Sequence, residues 1–311
     1  MSRRNKGLDI DGMLLLDKSP GMSSNGAVQR VKRLYQANKA GHTGSLDPIA
    51  TGLLPVCLGE ATKLSGFLLD TDKRYFVRAR LGRTTTTADT EGDTLDEKPV
   101  PMLQGADVER DLTRFRGDID QVPPMYSALK QGGRRLYELA RQGLEVEREP
   151  RKVRIYALHL AELGDGFLDL DVHCSKGTYI RSLVEDIGAL LGCGAHVERL
   201  RRTAVGKLNV GEAVTVEQLE ALADGQRLPL LLPLSAIADE LPRFNLPAES
   251  AFFLRRGQAV FAPKLPPGGL LRLFTQEGAF LGVGEVNADG MIAPKRLVKE
   301  ADNPRQPLEK P

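Results

Sequence analysis

One loop constrains this chain more than any other feature of its sequence. Between Gly41 and Val56 the chain carries three glycines, two prolines and one carboxylate, Asp47. Glycine adopts backbone conformations that other residues avoid, whereas proline fixes its own φ. A residue before proline is pushed toward extended geometry, so Asp47 is expected outside a helix. An acidic side chain on so stiff a loop is a candidate nucleophile or base; the alternative is a turn aspartate that bonds its own backbone.

Three further motifs bear on this choice. They are Asp17–Ser24, Lys73–Tyr75 and Lys176–Leu183, and they occur in this order along the chain. Together with the Asp47 loop they resemble the tRNA pseudouridine synthase B family, enzymes that isomerise a uridine in the T loop of tRNA. The resemblance covers about residues 10–210, and a C-terminal part resembles the small RNA-binding domain of that family.

Composition excludes several classes of protein. A length of 311 residues with 41% hydrophobic and 27% charged residues is typical of a globular chain with one large domain or two. No apolar run is long enough to span a membrane, and the basic N-terminus lacks the apolar segment of a secretory signal. Cys57, Cys174 and Cys193 are widely spaced and odd in number, which argues against disulfides and zinc and favours buried thiols in a reducing cytoplasm.

Charge is unevenly distributed along the chain. The net charge of +2 conceals basic blocks at residues 1–39 and 130–154 and an acidic block at residues 89–120. Separated basic blocks can present a positive surface to a polyanion while the whole chain stays near neutral. The alternative is a set of solvated charged faces, so composition alone favours a nucleic acid partner only slightly.

The hydrophobic pattern predicts alternating strands and helices. Predicted strands are Met13–Leu16, Leu53–Leu58, Arg74–Leu81, Val153–Leu163, Phe167–Cys174, Leu270–Thr275, Phe280–Val286 and Met291–Arg296. Predicted helices begin at Ser23 or Ser24 and at Thr215, or cover Ala61–Leu69, Asp107–Phe115, Leu136–Arg141, Ile180–Leu191 and Ala248–Arg256. With the resemblance they imply an α+β fold: a mixed, largely antiparallel central sheet with flanking helices, then a small β-rich domain.

The resemblance also implies a division of the chain. Residues 1–240 would form the catalytic domain, from which residues 125–152 project as a mobile, basic RNA-binding excursion. Prolines between Leu228 and Pro247 suggest a linker. Residues 241–303 would form a domain that resembles the PUA type of RNA-binding module. Residues 304–311 are expected to be disordered.

Arg181 carries an independent physical clue. It lies in the first turn of a predicted helix, where the helix dipole disfavours a cation unless an anion is close. Arginine and helix N-termini both bind carboxylates or phosphates. The alternative is a surface arginine paired with Glu185 one turn further on. The resemblance implies that Arg181 is the partner of the catalytic Asp47, which it would keep ionised and oriented.

The resemblance implies the remaining site residues. Tyr75 would stack on the target base as a proton-transfer candidate, with Tyr179 as a second aromatic residue of the pocket. Because the uridine is stacked within the RNA, it must be extruded. The residues expected to bind the RNA or support the site are His42, which would fill the vacated space, Leu200, which would pack under the base, Lys18, which would support the core, Asp89, Lys130 and Arg202. Ordinary packing or loop roles remain the alternative for each.

The resemblance implies an isomerase that converts uridine 55 of tRNA to pseudouridine without a cofactor or a metal. The carboxylate could attack C1′, attack the base or remove the C2′ proton, and the sequence does not choose among these routes. The expected partner is the T arm of tRNA, bound by a cytoplasmic monomer with no obligate protein partner. Two alternatives stay open: an RNA-folding protein without chemistry, and a nucleoside or glycoside hydrolase, although the latter normally needs two carboxylates.

Overall fold

The computed structural model describes residues 7–299, which contain seventeen strands and eight α-helices. The strands are β1 (Gly12–Lys18), β2 (Ala40–His42), β3 (Thr51–Leu58), β4 (Lys73–Leu81), β5 (Arg83–Thr85), β6 (Thr94–Glu97), β7 (Gly117–Gln121), β8 (Lys130–Gln131), β9 (Arg134–Arg135), β10 (Arg151–Gly164), β11 (Phe167–Cys174), β12 (Ala195–Val205), β13 (Leu208–Asn209), β14 (Arg243–Leu246), β15 (Gly269–Thr275), β16 (Phe280–Val286) and β17 (Ile292–Leu297). The helices are α1 (Ser24–Leu34), α2 (Ser65–Leu69), α3 (Gly105–Leu112), α4 (Leu136–Ala140), α5 (Ile180–Leu190), α6 (Val216–Ala221), α7 (Asp224–Arg227) and α8 (Ala248–Arg255).

A nine-stranded sheet organises the larger part of the chain. Its main path runs β1-β3-β12-β4-β11-β10-β7, with β2 beside β3 and β13 beside β12. The β3–β12 pairing is parallel, whereas the other pairings of this sheet are antiparallel. The predicted mixed, largely antiparallel sheet with flanking helices is therefore confirmed.

Both faces of this sheet are buried at the β1–β3 end. In β1, Leu14 and Leu16 pack into the core that helices α1, α5 and α6 cover, whereas Met13 and Leu15 belong to a second core on the opposite face. A strand buried on both faces reads as a continuous apolar run, which explains the Met13–Leu16 pattern. Helix α1 covers the first face because Ser23 caps it and Val28 and Val31 point at the sheet.

The smaller, C-terminal part is a four-stranded sheet in the order β14-β15-β16-β17. Strand β14 runs parallel to β15, and the other two pairings are antiparallel. Helix α8 packs Leu254 into the small core of this sheet. Val283 and Val298 belong instead to the second core of the larger sheet, so the two parts share buried apolar surface.

Most predicted elements are confirmed, and two segments differ. The predicted Ala61–Leu69 helix is a 3₁₀ turn at Gly59–Lys63 followed by α2. The expected linker between Leu228 and Pro247 is packed: it forms 3₁₀ turns and strand β14, with Leu234 and Ile237 buried. Prolines interrupt α-helices there without preventing 3₁₀ turns. The predicted tail at 304–311 lies outside the described residues.

Candidate active site

The Asp47 loop joins β2 to β3 and is fixed from three sides. Lys18 donates from Nζ to the carbonyl oxygens of Pro48 at 3.2 Å and Met22 at 2.8 Å. The Ser24 hydroxyl oxygen accepts from the Leu46 backbone N–H at 2.7 Å. Because each contact reaches the loop from another element, Asp47 is presented by a rigid support, as catalysis requires.

Arg202 provides the third support of the loop. Its side chain is 1% exposed and donates to the carbonyl oxygens of Leu53 (2.7 Å), Gly44 (3.1 Å) and Ser45 (3.4 Å). Gly52 has a φ of +99°, and a Cβ there would lie 2.2 Å from the Arg202 carbonyl oxygen, so only glycine fits. Because backbone oxygens occupy its guanidinium, Arg202 supports the loop, and its predicted contact with RNA stays a prediction.

Arg181 is the direct partner of Asp47. Its Nε lies 2.9 Å from Asp47 Oδ2 and its Nη2 lies 3.3 Å from Asp47 Oδ1, a two-point contact between guanidinium and carboxylate. The Arg181 side chain is 5% exposed, whereas that of Asp47 is 36% exposed. The same guanidinium donates to the carbonyl oxygens of Thr87 at 2.9 Å and Tyr126 at 2.7 Å. Arg181 is thus a buried brace, and Asp47 is the part of the pair that is open to solvent.

Opposing influences act on the Asp47 carboxylate. Burial raises its pKa above the usual value, and the negative charge of Asp89 adds to this effect. The Arg181 guanidinium is the largest influence that lowers the pKa, and the Lys18 ammonium acts in the same direction. Burial and Asp89 both raise the pKa of Asp47, and Arg181 counteracts them. Removing Arg181 would therefore raise the pKa of Asp47, and the carboxyl would stay protonated up to a higher pH.

Two partly buried tyrosines feel the charge of the carboxylate. Tyr75, on β4, is packed against the core, and burial raises its pKa, which the Arg202 guanidinium partly offsets. Tyr179, the residue directly before α5, also has a pKa raised by burial. The Asp47 charge is among the influences on both hydroxyls. Both tyrosines are therefore within electrostatic reach of the carboxylate, and both phenols hold their protons at neutral pH.

Asp89 is buried next to Arg181. Its side chain is buried and accepts hydrogen bonds from the Thr87 hydroxyl and the Glu91 backbone N–H, with Oδ2 3.8 Å from Arg181 Nη1. Asp89 adds a second negative charge beside the Asp47–Arg181 pair, and its predicted contact with RNA stays a prediction.

The other predicted substrate residues lie at the edge of this cluster or away from it. His42 ends β2 half-buried, its Nδ1 has no hydrogen-bond partner among the described residues, and burial lowers its pKa, so the ring is neutral at pH 7. Leu200 on β12 is 6% exposed and belongs to the core. Lys130 is exposed on the β8–β9 hairpin of the excursion. Their predicted RNA contacts stay predictions.

Sequence reasoning missed Gln121. This residue ends β7, is 2% exposed, and bonds both backbone groups of Tyr179 through its side-chain amide. The short, polar segment Gly117–Gln121 has no apolar alternation that would predict a strand. The only sequence signal for a special role of this residue is its place directly before Val122 and a Pro-Pro pair, and this signal is weak.

The described part of the chain contains no cluster of three or more His, Cys, Asp or Glu residues placed to hold a metal ion. Between residues 7 and 299 no helix combines the length and the apolar character needed to cross a membrane. The three cysteines are buried and free, as predicted.

Comparisons with known proteins identify the family of this chain. The family model described as "TruB family pseudouridylate synthase (N terminal domain)" matches residues 32–180. Two C-terminal models follow: "tRNA pseudouridylate synthase B C-terminal domain" at 181–252 and "Pseudouridine synthase II TruB, C-terminal" at 242–298. The tRNA pseudouridine synthase B of Nitrosococcus oceani is 56% identical over 299 residues, which cover 95% of this chain and 97% of that protein.

The chain belongs to the TruB family. A second relative, the tRNA pseudouridine synthase B of Vibrio vulnificus, is 52% identical over 309 residues, covering 96% of this chain and 98% of its own length. A solved structure titled "Structure of H/ACA RNP bound to a substrate RNA containing 2'-deoxyuridine" contains a chain with a TM-score of 0.70 and 22% identity. The match covers 94% of this TruB-family chain and 86% of that chain, which confirms the fold.

Proposed function

We propose that this protein converts uridine 55 in the T loop of tRNA to pseudouridine, with Asp47 as the catalytic carboxylate. The isomerase class follows from membership of the TruB family. The observation that carries the role of Asp47 is the asymmetry of its ion pair: the guanidinium is almost wholly buried, whereas the carboxylate keeps about a third of its surface open. Such an arrangement holds a negative charge at the surface of a cleft in a fixed orientation.

The reaction breaks the bond between uracil N1 and C1′ and forms a bond between C5 and C1′. C5 then loses its proton, and N1 takes up a proton. An ionised Asp47 could attack C1′, attack the base or remove the C2′ proton, and each route needs the carboxylate deprotonated. Arg181 favours that state because it stabilises the charged form against burial. Tyr75 and Tyr179 hold their phenolic protons beside it, so either can donate a hydrogen bond or serve in proton transfer.

The target base must leave its stack to reach Asp47, at a cost of a few kcal/mol. His42 is suited to take the vacated place because its ring is neutral and its Nδ1 lacks a partner among the described residues. Leu200 and Tyr75 lie on the paired strands β12 and β4, where Leu200 faces Val77 in register, so both side chains lie on one face of the sheet. Lys18 and Arg202 then support the loop.

Basic residues of the excursion would bind the RNA backbone. Lys130, Arg134 and Arg135 are exposed on the β8–β9 hairpin, and phosphate contacts by such residues position a nucleic acid without reading its sequence. In this proposal residues 1–240 form the catalytic domain and 241–303 a PUA-like RNA-binding domain. The protein acts in the cytoplasm as a monomer without an obligate protein partner.

The test is to incubate the protein with an unmodified tRNA transcript and to map pseudouridine by chemical labelling and primer extension. We expect one new pseudouridine at position 55. The matched control is a transcript with cytidine at that position, which can yield no product there. Tight tRNA binding without pseudouridine would replace the proposal with an RNA-folding role, and turnover of free uridine would favour a nucleoside-directed enzyme.

A further inference from the structure

A buried amide clamp links the edge of the central sheet to the start of α5. The Tyr179 backbone N–H donates to Gln121 Oε1 at 2.7 Å, and Gln121 Nε2 donates to the Tyr179 carbonyl oxygen at 3.0 Å. One side-chain amide therefore satisfies both backbone groups of the residue that precedes the helix. The same carbonyl accepts the first helical hydrogen bond, from the Leu183 N–H at 3.1 Å, so the clamp acts where the helix begins.

The clamp holds a helix start that lacks a side-chain cap. Tyr179 supplies no side-chain hydrogen bond to the first turn of α5, whereas the residues preferred at this position do. The first turn is held instead by the segment after Gln121, since the Ser182 hydroxyl donates to the Val122 carbonyl oxygen at 3.1 Å. Strand β7 and the residues that follow it thus set the position and the direction of the first turn of α5, which carries Arg181.

The same segment leads directly into the excursion. Arg181 Nη2 donates to the Tyr126 carbonyl oxygen at 2.7 Å while its Nε holds Asp47. Residues 121–126 therefore touch α5 at three successive points, and Gln121 is the one that is anchored in the sheet, where it pairs with Arg151. This segment therefore connects the excursion to the Asp47–Arg181 pair, and Gln121 is its point of attachment to the sheet.

We propose that Gln121 is a positioning residue for the isomerase reaction: its amide fixes Tyr179, and through it the first turn of α5, so that Arg181 stays in register with Asp47. This inference rests on the proposed role of Asp47. Gln121 does not touch the substrate. Its loss would displace the guanidinium by a fraction of an ångström or more, and a misplacement of about 1 Å in a catalytic group costs on the order of 100-fold in rate.

The test compares Gln121→Met with the parent protein on tRNA under single-turnover conditions, across a range of pH. Methionine nearly matches glutamine in size but cannot form the clamp. We expect the saturated rate to fall about 10–100-fold while the Kd for tRNA changes less than about 3-fold. We also expect the acid limb of the rate profile to move to higher pH, because a displaced Arg181 opposes protonation of Asp47 less.

Two controls separate positioning from general damage. Gln218→Met removes a side-chain amide that accepts from the Thr215 N–H at the start of α6, away from the site, and we expect an unshifted pH profile. Gln121→Asn is too short to form both clamp bonds and is expected to lie between parent and Gln121→Met. If Gln121→Met does not fold, Gln121→Asn carries the same test.

Three results would overturn the inference. They are a parent-like rate and profile for Gln121→Met, a lower rate explained entirely by a smaller folded fraction with the acid limb unmoved, and failure of both variants to fold. The parent protein tests the proposed function itself. If the parent makes no pseudouridine in this assay, the proposed function is wrong. If the parent is active, the results for the variants test only the role of Gln121.

Discussion

Replacing Arg181 by lysine separates the charge of the brace from its shape. The arginine reaches both Asp47 oxygens and two backbone carbonyl oxygens at once, from three nitrogens in one plane. A lysine ammonium carries its donors on a single atom and cannot span these four acceptors. Arg181→Lys therefore keeps a positive charge near Asp47 but loses the fixed geometry, and it leaves at least one buried carbonyl oxygen unpaired.

The magnitude follows from these contacts. Two unit charges about 4 Å apart attract each other by about 4 kcal/mol at an effective dielectric constant near 20. A lysine ammonium that lies further from Asp47 retains roughly half of this attraction. A loss of about 2–3 kcal/mol in the transition state corresponds to about 30–150-fold in rate. We expect a reduction of this size in the single-turnover rate, with the acid limb displaced to higher pH because burial and Asp89 then act on Asp47 less opposed.

The assay is single-turnover pseudouridine formation on a T-arm transcript at saturating enzyme, repeated at several pH values. The matched control is Arg78→Lys, which alters another two-point arginine pair, with Asp169 at 2.6 and 2.7 Å, away from Asp47. That variant should keep the parent rate within about 3-fold. An Arg181→Lys variant with a parent-like rate and an unmoved acid limb would refute the reasoning.

Three further predictions concern stability and binding. Arg202→Met should lower the free energy of unfolding by about 3–5 kcal/mol, measured by urea denaturation, because three carbonyl oxygens lose a buried donor; a loss below about 1 kcal/mol would contradict this role. Burial raises the pKa of Glu185 to about 7. The stability that the protonated carboxyl contributes is therefore present in full below about pH 4.5 and is lost as the pH rises through about 7. Glu185→Gln should therefore raise the unfolding free energy at pH 8 by about 1–2 kcal/mol, after allowance for solvent screening, and change it little at pH 4.5; the reverse pH dependence would be contrary to this sign. Lys130→Ala should weaken tRNA binding a few-fold and reduce the slope of log affinity against log salt by about one, whereas an unchanged slope would exclude a phosphate contact.

The parts of the fold that could be predicted are those with a local signal. The apolar run of β1, the alternation in β4 and the stripe of α5 each follow from the burial of one face or both, and all three appear where expected. Strand β7 could not be predicted in this way, since it is short, polar and stabilised by pairing with β10, which is far from it in sequence. Its place depends on tertiary contacts that no local pattern reports.

The same distinction applies to the site. Asp47 and Arg181 could be singled out because the stiff loop and the helix start constrain their chemistry, and they lie in contact. The burial of Asp89 and Arg202 could not be predicted from the sequence. A charged residue in a sequence is assumed to be exposed, and only the fold shows that backbone oxygens or an opposite charge compensate its burial.

The most direct test of the central claim is the single-turnover rate of Asp47→Asn on unmodified tRNA, measured together with its Kd. Asparagine keeps the size of the side chain and removes the negative charge. The account predicts no detectable pseudouridine at position 55 while the Kd stays within about 3-fold of the parent value, because the RNA is held by other residues. Pseudouridine formation by Asp47→Asn at a rate near that of the parent would contradict the account, since it would show that the reaction does not need the carboxylate.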